Sequence, residues 1–290
     1  MKNFISILSI FILITASSFI TPAERTKVPI NVIEAINQGI IRLDVKSKGG
    51  HSGGCLSASI KNTASERITI LIPPGTMFHP EEPGMQNIIV VKEKLLALNR
   101  NESKTTVIIG FCCNLSKKSP SEGMAFKAAK STNKNLIQIA NFINGQNFND
   151  DAIQSAIWAV SDGNRISEIY DENPEKVSSL RKEVSEITGQ PITWYATRTN
   201  RTTGEDGFIN NEPVLVTGEI SIKVEKPCTL IQEVFNEKGE VKWRIKDMEI
   251  PWAGSMNYDF QLRVSGWPKG NYYVKASIPG KVLVKHDFVI

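Results

Sequence analysis

Hydrophobic and polar positions alternate with a period of two through the first part of the chain. Ile40-Ile41-Arg42-Leu43-Asp44-Val45, Leu56-Ser57-Ala58-Ser59-Ile60 and Ile68-Thr69-Ile70-Leu71-Ile72 each predict a strand with one buried face. Gly49-Gly50 and Gly53-Gly54 bracket a turn between the first two, and Pro73-Pro74-Gly75 stops the third. Asn87–Val91, Lys94–Leu98 and Thr105–Phe111 complete about six short strands, the rhythm of an antiparallel sandwich.

The period changes after Ser119-Pro120. The stretch from Phe126 to Ile143 reads as one helix ending at Asn144-Gly145. In the next, Ile153, Ala156, Ile157 and Val160 fall at i, i+3, i+4 and i+7, with Asn149, Asp150 or Asp151 as cap and Asp162-Gly163-Asn164 as stop. A third helix is expected from Pro174 to Ile187. Residues 196–212, rich in Thr, Asn, Arg and Gly, read as an exposed linker. Alternation then resumes. Thr229–Phe235 and Val241–Ile245 flank the turn Asn236-Glu237-Lys238-Gly239, and Pro279-Gly280-Lys281 closes a later hairpin. The expected fold class is α+β: an antiparallel β-sandwich with an appended helical subdomain over 27–195, then an all-β immunoglobulin-like sandwich over 213–290.

Composition adds a compartment. Lys2 followed by the apolar run Phe4–Ile14 and the small residues up to Thr21-Pro22-Ala23 reads as a signal peptide over 1–23. No later apolar run has spanning length, so the mature chain is expected to be exported and not membrane-spanning. With 34 basic against 30 acidic residues interspersed, no patch predicts nucleic-acid binding. Four cysteines, at 55, 112, 113 and 228, are few for a disulfide scaffold; Cys55 with Cys112 or Cys113 is one pairing and free thiols are another.

Two short segments carry chemistry. Phe111-Cys112-Cys113-Asn114 ends an apolar strand, and Ile153-Gln154-Ser155-Ala156-Ile157-Trp158 lies in a helix. A cysteine thiol and a glutamine amide held together away from water can condense, with loss of ammonia, into an internal thioester. Trp158 stands one helical turn from Gln154 and could shield the bond. Residues from about 40 to 190 resemble the thioester domains of bacterial surface adhesins. In that family an aromatic residue or leucine precedes the reactive cysteine, and the partner glutamine opens Thr-Gln-x-Ala-apolar-Trp/Phe. Phe111-Cys112 and Gln154-Ser155-Ala156-Ile157-Trp158 match; Ile153 stands in the threonine position, and Cys113 adds a competing thiol. The resemblance implies a single-use covalent tether through Cys112 and Gln154 to an amine or hydroxyl of another protein or a glycan.

The last eighty or so residues resemble the C-terminal β-sandwich modules of proteins secreted by Bacteroidetes, some of which are type IX sorting signals. Phe235-Asn236-Glu237-Lys238-Gly239, Lys269-Gly270-Asn271-Tyr272-Tyr273 and Gly280-Lys281 carry that likeness. Other motifs weigh less. Gly50-His51-Ser52-Gly53-Gly54 fits the Gly-x-Ser-x-Gly pattern, but an alternating strand follows where a hydrolase elbow needs a helix. His51, His79 and His286 are scattered, no Cys-x-x-Cys exists, and neither a metal nor another cofactor is expected. The expectation is a non-enzymatic attachment or structural protein of the bacterial surface or periplasm. The alternatives are a noncovalent glycan- or protein-binding module, with Trp194 as a stacking residue, and an exported serine hydrolase using Ser52.

Overall fold

Alternating burial organises the first half as the sequence predicts. The computed structural model describes residues 28–290; the signal peptide read over 1–23 lies outside the described residues. Strand β1 (Ile30–Asn31) runs into helix α1 (Val32–Asn37), where the Asn31 side chain accepts a hydrogen bond from the Ile33 N–H. The strands β2 (Ile41–Ser47), β3 (Leu56–Asn62), β4 (Ile68–Ile72), β5 (Thr76–Pro80) and β6 (Asn87–Val90) follow. Next come β7 (Lys94–Leu98), β8 (Ser103–Ile108), β9 (Gly110–Cys113) and β10 (Ala125–Lys130). One sheet has the order β8-β3-β2-β10-β5-β6-β9 and the other β1-β4-β7. All pairings are antiparallel except β1 with β4. Val45, Ile60, Ile70, Ile72, Ile88 and Leu98 fill the core between the two sheets.

The helices cover one end of the larger sheet. They are α2 (Lys134–Ile143), α3 (Asp150–Asp162) and α4 (Glu175–Thr188), with a 3₁₀ turn at Ile166–Glu168. Asn133 and Asn149 cap α2 and α3 by accepting from the Leu136 and Ala152 N–H groups, and Gly163 ends α3 in the left-handed region at φ 75°. A second apolar core joins Ile89, Phe111 and Cys113 to Leu136, Ile139, Ala156 and Ile157. The helix expected over Phe126–Ile143 is corrected here: Ala125–Lys130 is a strand paired with β2 and β5, and the helix starts only after Asn133. A short apolar run does not by itself distinguish strand from helix, and the β5 edge decided the matter.

The rest of the chain is all β: β11 (Tyr195–Thr203), β12 (Ile209–Val224), β13 (Cys228–Asn236), β14 (Val241–Ile250), β15 (Gly254–Arg263), β16 (Asn271–Ile278) and β17 (Lys281–Val289). The sheets β11-β12-β15 and β14-β13-β16-β17 enclose a core that includes Val216, Ile220, Phe260, Val234, Val274 and Phe288. The whole is an α+β arrangement dominated by antiparallel sheets, as expected. The linker expected over 196–212 is not one. β11 and β12 pair through it as a hairpin from Tyr195↔Gly218 to Thr203↔Ile209, with a one-residue register shift between Arg198 and Thr199, around the turn that bonds Gly204 N–H to Phe208 C=O at 2.8 Å. Its threonines are β-branched and suit a pleated surface better than a loop.

Candidate functional site

Strand β9 lies at the edge of the larger sheet, so its outward main-chain groups need partners from elsewhere. The loop between β2 and β3 supplies some: Gly110 N–H donates to Gly53 C=O at 2.9 Å, and Cys112 N–H to His51 C=O at 2.8 Å. Helix α3 supplies the rest through one side chain. The Gln154 Nε2–H donates to Cys112 C=O at 2.8 Å, and Gln154 Oε1 accepts from Cys112 N–H at 3.2 Å. The carboxamide thus meets Cys112 as a fragment of a neighbouring strand would. Both residues are fully buried. One carbonyl bond length beyond Oε1, the Gln154 amide carbon lies within ~4.4 Å of the Cys112 nitrogen.

Strand alternation separates the two adjacent thiols. Phe111 and Cys113 face the helices, whereas Cys112 packs into the sandwich core with Cys55, Ile88 and Ile108. All four cysteines are free thiols, and Cys55 Sγ donates to Gly110 C=O at 3.3 Å. Burial pushes the Cys55 thiol up to about 12, and it raises Cys113 too. Cys112 is raised well above its ordinary range, first by burial and then by its charge interaction with Cys55 and Cys113. Raised values favour the protonated form, so Cys112 holds its proton at neutral pH and needs an acceptor before it can attack carbon.

Trp158, fully buried, sits beside Gln154 on the helix one turn on. His51 stacks on its ring with centroids 5.7 Å apart and planes 20° apart, and the Arg201 guanidinium lies 5.2 Å from a Trp158 ring centroid. Arg201 comes from β11. Its Nη1 donates to Asp151 C=O at 3.1 Å and to Asp151 Oδ1 at 3.0 Å, and its Nη2 to Ser155 Oγ. The Ser155 Oγ–H donates to Glu168 C=O at 2.7 Å. The Arg201 side chain is only 6% exposed while Asp151 is 83% exposed, so the pair closes the site from outside. Gly53 is required where it stands: its φ is +68°, and a Cβ there would lie 2.5 Å from Asp150 Oδ2.

Burial lowers the His51 pKa from its ordinary 6.5, Arg201 lowers it further, and Asp151 opposes them weakly. The folded protein therefore favours neutral His51. This contribution to stability is complete above about pH 6.5 and falls away as pH drops through the folded value. Glu168, raised chiefly by burial, works in the opposite sense, since acid supplies the proton that its site favours. His51→Gln is expected to flatten the acid side of a urea-midpoint-against-pH curve below about pH 6.5. A slope there equal to wild type would show that His51 carries none of it.

The structure thus brings the Cys112 main chain and the Gln154 carboxamide together, with Trp158 one helical turn on; the Cys112 side chain lies in the sandwich core and Cys113 turns to the helices. Sequence reading missed His51 and Arg201 as their neighbours. Gly50-His51-Ser52-Gly53-Gly54 joins two antiparallel strands, so no strand-turn-helix elbow forms around Ser52. Trp194 donates from Nε1 to Asp287 C=O at 2.7 Å and packs against Gly218 and the His286 and Phe260 rings. Among the described residues no cluster of three or more His, Cys, Asp or Glu side chains suits a metal ion, and no helix is long and apolar enough to cross a membrane.

No protein-family model matches this sequence, and no curated protein matches it. Among solved structures, red sea bream transglutaminase aligns with 89% of this chain at 6% identity and a TM-score of 0.22. The chain spans about a third of that protein's length, 32%, and a likeness this distant carries no argument about activity.

Proposed function

We propose that this chain is an exported attachment protein of the bacterial surface or periplasm that forms a covalent tether through a thioester between Cys112 and Gln154. One observation supports the reading above the others: two residues 42 positions apart meet, fully buried, with the glutamine carboxamide on both main-chain groups of the cysteine. Water is kept from the acyl carbon, which a stored thioester requires.

The chemistry needs no reagent beyond the partner. The Cys112 sulfur adds to the Gln154 amide carbon, the C–N bond breaks, and nitrogen leaves as ammonia with the thiol proton. An amine on the partner then attacks the same carbon and the C–S bond breaks. The partner nitrogen ends in an amide to Gln154, its lost proton on the Cys112 thiol. A partner hydroxyl would give an ester by the same route. Each molecule reacts once, so the protein spends itself and does not turn over.

Intact mass of the mature protein is expected to fall one ammonia short of the sequence, and methylamine is expected to add once. Cys112→Ala should abolish both effects while Cys113→Ala keeps both. Four free thiols at the full sequence mass would overturn the reading. Gln154 would then be a strut for the edge of β9, and a noncovalent binding module would be the better description.

A further inference from the structure

The site contains a donor with nothing to donate to. Trp158 Nε1–H is sealed from solvent and has no hydrogen-bond partner among the described residues. Buried indole N–H groups are rarely left in this state, and an orphan of this kind asks for a function. The carbonyl oxygen of Gln154 shows the complementary deficit. Its one donor is the Cys112 N–H at 3.2 Å, and that hydrogen is shared with His51 C=O, which sits closer at 2.8 Å.

Helix geometry relates the two. Long side chains on a helix lean back toward its N-terminus, so a residue at i+4 covers the turn that holds residue i. Trp158 therefore leans over Gln154. Its ring cannot swing freely, because His51 stacks on it and the Arg201 guanidinium packs against it. Arg201 Nε is also unpartnered, but its guanidinium is committed through Nη1 and Nη2 to Asp151 and Ser155.

We propose that the Trp158 N–H is the second donor of an oxyanion hole at the Gln154 acyl carbon, with the Cys112 main-chain N–H as the first. This rests on the thioester reading and assigns Trp158 of this chain a catalytic role beyond shielding. When an amine adds to the acyl carbon, its nitrogen bonds to carbon and the carbonyl electron pair moves onto oxygen. The Cys112 N–H already touches that oxygen; the Trp158 N–H, which has no acceptor within hydrogen-bond distance while the amide is intact, reaches it as the carbon turns tetrahedral. Collapse restores the carbonyl, breaks the C–S bond and leaves the amine's proton on the Cys112 thiol. A donor left free until charge develops stabilises such an intermediate without first giving up another partner.

The test replaces Trp158 with 3-benzothienylalanine in the full chain, which keeps the bicyclic shape and puts sulfur where the N–H was. Trp158→Phe serves as a second variant should the first accumulate poorly. Methylamine addition is followed by intact mass, and thermal unfolding reports the packing. The expected result is addition slowed by about 100- to 1000-fold at an unchanged melting temperature. A folded variant that never loses ammonia has the same meaning, since thioester formation passes through the same charged oxygen. Addition at the wild-type rate overturns the oxyanion role and leaves the tether intact. A wild-type chain with no ammonia deficit ends the tether and this role together, so the two failures are told apart.

Discussion

Trp158→Ala is expected to lower unfolding stability by roughly 3–5 kcal/mol. The ring is fully buried, so its loss removes apolar contact and opens a cavity that the surrounding structure fills only in part. Two neighbours make the loss worse. His51 loses the surface on which it stacks, and Arg201, itself nearly sealed from water, loses the ring beneath its guanidinium. The check is a urea unfolding curve, with the midpoint shifted down and the slope kept. A loss below about 1 kcal/mol would mean that the pocket collapses over the gap and that Trp158 is not its keystone.

Gln154→Leu is the second, and its size is informative. Leucine keeps the volume and removes both amide contacts. Cys112 N–H retains His51 C=O, but Cys112 C=O is left without its donor in a dry interior. With the amide intact in the wild type, the cost should be about 1–3 kcal/mol. With a thioester in the wild type, Nε2 has already left as ammonia; the variant then loses a covalent link across 42 residues in place of that hydrogen bond, and the cost should rise to about 3 kcal/mol or more, as it does for cross-links closing loops of that size. Cys112→Ala provides the reference, because it keeps every main-chain bond at that position. A Gln154→Leu protein as stable as wild type would remove the strut and the staple alike.

The sequence made the meeting of Cys112 and Gln154 legible because each half is local. An alternating strand places Cys112, and a capped helix with one apolar stripe places Gln154 and Trp158. What it hid was everything contributed by distant chain. His51 sits in a glycine-rich turn whose path depends on the edge of β9, and no periodicity describes such a turn. Arg201 lay in a stretch whose Thr, Asn, Arg and Gly content read as an exposed linker, although the β-branched Thr197, Thr199, Thr202 and Thr203 are the signal of the strand that forms there. The side of β9 to which each thiol turns was in principle readable, since adjacent strand residues must point to opposite faces. Which of the two faced the helices depended on the sheet order, and that is a property of the whole fold.

Strand β11 opens the second sandwich and also carries the guanidinium that lies against Trp158. The chain therefore cannot be severed after α4 into an independent front and back. A front piece ending there would keep Cys112, Gln154 and the ring, yet its wall would be breached where Asp151 and Ser155 now meet Arg201. The candidate site and the second sandwich share that wall, and a change that displaced β11 would take its arginine from the front half.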